Sequence, residues 1–137
     1  MGLIVDTGVL YATLDVRDGH HQPCVELLGG VREPRIVPAP VLPEVDWLCS
    51  RSPSGRFTPV LDQIDSGALE IEDLLPDDYR RVDEILNAYA DLRVGFVDAA
   101  VLAIVERLRE PKLATLDHRH FTVMRPRHVE ALELLPA

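Results

Sequence analysis

Apolar positions along this chain alternate between short runs and helical stripes. Leu3, Ile4 and Val5 form a run that stops at Asp6, Thr7 and Gly8 before helical spacing resumes with Val9 and Leu10, which predicts a buried strand with an acid at its carboxyl end. Asp15 to Pro23 carries turn and cap residues, and Cys24, Leu27, Leu28 and Val31 then repeat at helical spacing. A second strand is predicted over Arg35 to Val37, closed by Pro38 and Pro40, followed by the stripe Val41, Val45, Leu48 and Cys49. The breaker Ser52-Pro53-Ser54-Gly55 separates it from Phe57, Val60, Leu61 and Ile64, and Ala68 to Ile71 reads as a weaker third strand. Pro76, Asp77 and Asp78 suit a helix start whose apolar face is Val82, Ile85, Leu86 and Tyr89. The most apolar helix carries Val97, Ala100, Val101, Ile104, Val105 and Leu108; Lys112 to Leu116 is the fourth strand, and Leu132 to Leu135 a short last one.

Strands alternating with helices imply βαβ units, and so an α/β fold with three layers: a central, mainly parallel sheet of four or five strands between helices. At 137 residues we expect a single domain over 1–137, able to bury a core without disulfides or a structural metal. Cys24 and Cys49 lack framework spacing and fit buried thiols in a reducing compartment. There is no basic leader, Asp6 interrupts the first apolar run, and no stretch reads as a membrane span, so we expect a cytoplasmic protein. A formal charge of −9 argues against gripping nucleic acid by a generally basic surface. It leaves room for a nucleic-acid enzyme whose acids gather at a metal site.

Four acids fall at corresponding places on this scaffold. Asp6 follows the first strand, Glu44 lies in the first turn of the helix after the second, Asp98 in the first turn of the most apolar helix, and Asp117 ends the fourth strand. All therefore point to the carboxyl end of one sheet, where ligands of open α/β sheets gather. Converging carboxylates without intervening Lys or Arg repel one another unless a cation binds among them. Hard divalent ions, Mg²⁺ with Mn²⁺ as a substitute, prefer such oxygen donors. An ion held there can orient a phosphodiester, polarise it and activate water, and a pair of ions can also hold the leaving oxygen.

Each acid has a second reading. Asp6 can cap the following helix, Glu44 can complement its helix dipole, and Asp117 can be a turn residue. Asp98 is the hardest to explain structurally, because an unpaired acid beside so apolar a helix is costly.

The segments IVDTGVLYA, LPEVDWL, RVGFVDAAVLA and ATLDHRHF, in this order and spacing, resemble the PIN domain, and within it the VapC-type toxins of bacterial toxin–antitoxin pairs. The resemblance extends over essentially the whole chain, to the Met124-Arg125-Pro126 turn. It implies a Mg²⁺-dependent endoribonuclease of PIN-like fold, inhibited by a small cognate antitoxin encoded beside it, and a homodimer. Asp6 and Asp98 match the family's principal metal ligands, and Glu44 and Asp117 its other site acids. Thr7 and Thr115 match hydroxyl positions beside them, suited to bond a carboxylate or a bound water. The RNA target does not follow from the resemblance.

Other polar features point less clearly. His20, His21 and Cys24 lack the complementary pair of a zinc site and read, with Asp18, as a helix entry. Asp46 and Asp91 read as solvated faces or supporting groups. Between Lys112 and His128, Lys112, Arg119, Arg125 and Arg127 with His118, His120 and His128 stand against Asp117 alone, either as a rest for RNA phosphates, with Arg51, Arg56 and Arg93, or as a solvated edge. Phe121 reads as a core anchor, and Trp47 and Leu74 as exposed apolar residues suited to an interface. Two rival functions are weighed against the nuclease. A haloacid-dehalogenase-like phosphatase wants an Asp where Gly8 stands, and a receiver domain wants a Lys after a late strand, whereas Lys112 begins one. A catalytically silent module would use the acids only to receive a basic peptide.

Overall fold

The computed structural model describes residues 1–137. Its centre is the first apolar run: β1 (Leu3–Val5) is buried at every position and hydrogen-bonds in parallel to strands on both sides. These are β2 (Arg35–Pro38), with Ile4 opposite Ile36, and β4 (Lys112–Ala114), with Ile4 opposite Leu113. β3 (Leu69–Glu72) extends the sheet beyond β2 and β5 (Glu133–Leu135) beyond β4, giving five parallel strands in the order β3-β2-β1-β4-β5. The predicted parallel sheet is thus found, with the short last segment serving as its edge strand.

The helices are α1 (Thr7–Leu14), α2 (His21–Gly30), α3 (Val41–Ser50), α4 (Thr58–Asp65), α5 (Pro76–Ala88), α6 (Phe96–Leu108) and α7 (His118–Val123). Moves from β1 to β2 to β3 run one way across the sheet and the return to β4 runs the other. Right-handed crossovers therefore place α1 to α4 on one face and α5 and α6 on the opposite face. In keeping with this, α1 packs on α2 and α3, and α5 packs on α6. Every side chain from Ala99 to Val105 is buried, as expected of a helix that is apolar all round and covered by both sheet and neighbour. One cluster of buried apolar residues joins Ile4, Val45, Leu102 and Phe121 across all three layers.

Ion pairs lock the outer face. Arg81 donates from Nε and Nη2 to the Glu106 carboxylate at 2.7 and 2.9 Å, and Arg107 bridges Asp78 and Glu72 at 3.0 Å each. At the end of α4 the Gly67 N–H bonds Ile64 O, and φ +83° at Gly67 turns the chain towards β3, a conformation glycine adopts without steric penalty.

Three local expectations are corrected. The fourth strand stops at Ala114 rather than Leu116, so Asp117 caps a helix instead of ending a strand. That helix, α7, has six residues and buries only Phe121, too little apolar periodicity to be read beforehand. Leu74 packs against the core while Leu75 is exposed; Trp47 is exposed as expected, with the Arg51 guanidinium 5.0 Å from its ring centre.

A candidate metal centre at the carboxyl ends of the strands

The strand order reverses between β1 and β4, and the crevice outside the carboxyl ends at such a reversal is where open α/β sheets bind ligands. Asp6 and Thr115 lie on its two sides. The Asp6 N–H donates to Ala114 O and the Thr115 N–H to Leu135 O, each at 2.8 Å, so the sheet ladder itself sets both residues in place. α3 leaves the carboxyl end of β2, and α6, which follows α5, runs back to the amino end of β4, so the first turns of both helices bring Glu44 and Asp98 to the same crevice. Asp117, at the start of α7, completes the set.

Two side readings prove compatible with a site. Asp6 is the N-cap of α1, accepting from Thr7 N at 2.8 Å, and Asp117 is the N-cap of α7, accepting from His120 N at 3.1 Å. Each cap uses one carboxylate oxygen and leaves the other to the crevice. Asp6 Oδ2 accepts the Thr115 hydroxyl at 2.8 Å, and Thr115 Oγ1 in turn accepts Asp117 N–H at 3.0 Å. Thr7 Oγ1 donates to Glu44 Oε1 at 2.5 Å. The two threonines therefore hold one acid each.

Charge in this crevice is uncompensated by Lys or Arg. Burial pushes the Asp6 carboxyl up to about 6, with Asp98 and Glu44 adding repulsion against the lowering effect of the Thr115 and Thr7 hydrogen bonds. Asp98 is likewise raised, first by burial and then by Asp117, against the opposing pull of His120. The mutual repulsion links Asp6 to Glu44 and Asp98, and Asp98 to Asp117, into one group of four. Acids kept apart from arginine and lysine, two of them holding protons more tightly than in water, form a donor set that fits a hard divalent cation.

His120 is the member that sequence reasoning misplaced. Its Nδ1 lies 3.2 Å from Asp98 Oδ2 and 2.9 Å from Asp117 Oδ2, and the three residues each offer a ligand atom within 4.8 Å of the others. The available signal was the Asp117-to-His120 spacing of three, which puts both on one side of a helix's first turn. The rest of the basic stretch disperses. Lys112 begins β4, and His128 bonds Glu110 O beside the buried Glu110–Gly2 contact, both at the amino ends of the strands. Arg127 pairs with Glu84 at 2.8 Å, whereas His118 and Arg119 share α7 with His120. Asp46 and Asp91 are exposed. Cys24 is buried, His21 Nδ1 meets Ala12 O, and Asp18 accepts His20 N–H, so that trio forms a helix entry.

A family model described as PIN domain matches residues 3–125. Ribonuclease VapC26 of Mycobacterium tuberculosis is 30% identical over 125 residues, covering 90% of this chain and 93% of that protein. Among solved structures, the M. tuberculosis toxin VapC20, which cleaves the sarcin-ricin loop, superposes with a TM-score of 0.77 at 21% identity, over 86% of this chain and 92% of that one. VapBC2 of Rickettsia felis, solved on a DNA fragment from its promoter, gives a TM-score of 0.67 at 17% identity, with 98% of each chain covered.

Proposed function

Because this chain belongs to the PIN-domain family, we propose that it is a Mg²⁺-dependent endoribonuclease, the toxin of a toxin–antitoxin pair, built as one domain over residues 1–137. The observation that carries this reading is the convergence of Asp6, Glu44, Asp98 and Asp117 from four helix starts, with the His120 ring against two of them and no Lys or Arg paired with any. Asp6 and Asp98 would be the main holders of the cation, with Glu44 and Asp117 completing its surroundings; Mn²⁺ is the natural substitute. When bound, the cation supplies Lewis acidity toward a phosphoryl oxygen and makes water a better nucleophile.

The chain's own groups do the positioning. Thr115 holds Asp6 Oδ2 and steadies the backbone of Asp117, while Thr7 fixes Glu44. The sheet ladder at Asp6 and the buried helix behind Asp98 keep the acids from spreading apart under their own repulsion. His118 and Arg119, on α7 beside the acids, are placed to meet backbone phosphates of an RNA strand.

The partners we propose are an RNA substrate, a cognate antitoxin and a second copy of the chain. The antitoxin reading is supported by the likeness to VapBC2 and the ribonuclease reading by the relative named Ribonuclease VapC26. No helix is long and apolar enough to cross a membrane. The test is purified protein on total RNA with Mg²⁺, with EDTA, and as Asp98→Asn. Cleavage should need the ion and fall about a thousandfold in the variant, the several kcal/mol expected of lost metal stabilisation. Undiminished cleavage in EDTA or in D98N overturns the reading, and binding of RNA or antitoxin without cleavage under any ion makes the protein a silent module.

A further inference from the structure

The His120 ring is held at both nitrogens. Nε2 lies 3.2 Å from Leu92 O, and a carbonyl only accepts, so Nε2 carries the proton. Nδ1 is then the ring nitrogen through which the side chain can ligate a cation. Nδ1 lies 3.2 Å from Asp98 Oδ2 and 2.9 Å from Asp117 Oδ2. One ring nitrogen and two carboxylates thus lie within reach of a single ion.

A single proton on Nδ1 cannot align with both carboxylates, whereas one cation meets all three donors. The separations of 2.9 and 3.2 Å are those of neighbouring ligands around an octahedral ion, where bonds of about 2.1 Å give edges of about 3 Å. Leu92 O supplies the backbone acceptor that orients a ligating imidazole through its other nitrogen. Its position is built in: Leu92 ends a 3-10 turn (Ala90–Leu92), and Arg93 follows at φ +54° to turn the chain into α6, which carries Asp98. Asp117 and His120 share the first turn of α7.

We propose that His120 Nδ1 is a nitrogen ligand of a cation held with Asp98 and Asp117, and that this mixed donor set makes the centre prefer Mn²⁺ to Mg²⁺. Imidazole suits transition-metal ions, whereas Mg²⁺ keeps oxygen donors and water. The inference rests on the metal-centre reading above and adds to it a ligand and a preference between ions.

Pulsed EPR of the full-length protein loaded with Mn²⁺ tests it without reference to activity. Hyperfine coupling to one ¹⁴N nucleus is expected in the wild type and in His118→Gln, and should vanish in His120→Gln. Titration should show Mn²⁺ affinity falling about tenfold or more in H120Q, the loss typical of a ligand or its support, with Mg²⁺ affinity changing less than about threefold. Where H120Q does not fold by circular dichroism, H118Q protein labelled with ¹⁵N-histidine decides. A shift of the coupling to the ¹⁵N frequency supports the assignment, and an unchanged spectrum overturns it. Bound Mn²⁺ without nitrogen coupling, or coupling that survives in H120Q, overturns the proposal while leaving a carboxylate metal centre intact. Failure of the wild type to bind either ion overturns both.

Discussion

Replacing Asp6 by Asn should stabilise the metal-free protein while abolishing its activity, because the site acid is held in a place unfavourable to its own charge. Its carboxyl rises from 3.8 to about 6 on folding, mainly through burial, and the side chain is 5% exposed. At 1.36 kcal/mol per unit this is about 3 kcal/mol. A raised carboxyl means that the folded state holds the proton more tightly than the unfolded chain. The favourable contribution is therefore complete below pH 3.8 and is lost as pH rises through about 6. Asn carries no charge to desolvate, but its amide replaces an acceptor of the Thr115 hydroxyl, at a cost of about 1 kcal/mol. The net gain for D6N at pH 8 in EDTA is about 2 kcal/mol, shrinking to nothing or reversing near pH 4.5. Urea denaturation of both proteins at the two pH values measures it. A D6N protein less stable than wild type at pH 8, or a gap independent of pH, refutes the assignment of Asp6 as a strained, buried charge. Added Mg²⁺ should then raise the wild type's midpoint and leave D6N's unmoved.

Three further outcomes follow from the same geometry. Thr115→Val removes the donor to Asp6 and the acceptor of Asp117 N–H in a fully buried position, and should lower stability by about 2 kcal/mol by urea denaturation and slow cleavage. Arg107→Met strips the buried Asp78 of its guanidinium partner and should cost about 3 kcal/mol, while cleavage per folded molecule, assayed well below the melting temperature, stays at the wild-type level. Because Asp6 holds a proton up to about pH 6, binding of Mg²⁺ displaces it, and calorimetric affinity should rise about tenfold from pH 5 to 7.5.

Much of the fold was legible because burial on both faces writes parallel strands as apolar runs, and because Asp6 ends one of them abruptly. The four acids were legible for the same reason: each follows a strand or opens a helix, and topology alone sends those points to one end of a sheet. What escaped lies where local sequence is weakly periodic or where side chains meet across elements. The α7 helix anchors itself with Phe121 alone, so Asp117 was read as a strand end. His120 was grouped with its basic neighbours, since a count of charges within a stretch does not register which end of the sheet each residue faces. Lys112 and Arg127, in that same stretch, face away from the acids or pair with Glu84. The bond from His120 Nε2 to Leu92 O joins residues 28 positions apart and leaves no trace in spacing.

The central claim, that these four carboxylates form one cation site, is tested most directly by anomalous diffraction from crystals grown in Mn²⁺. The account predicts density bounded by Asp6, Glu44, Asp98 and Asp117, lost in crystals of D98N. Saturating Mn²⁺ with no peak in that crevice, or a peak bound elsewhere and unaffected by D98N, would contradict it.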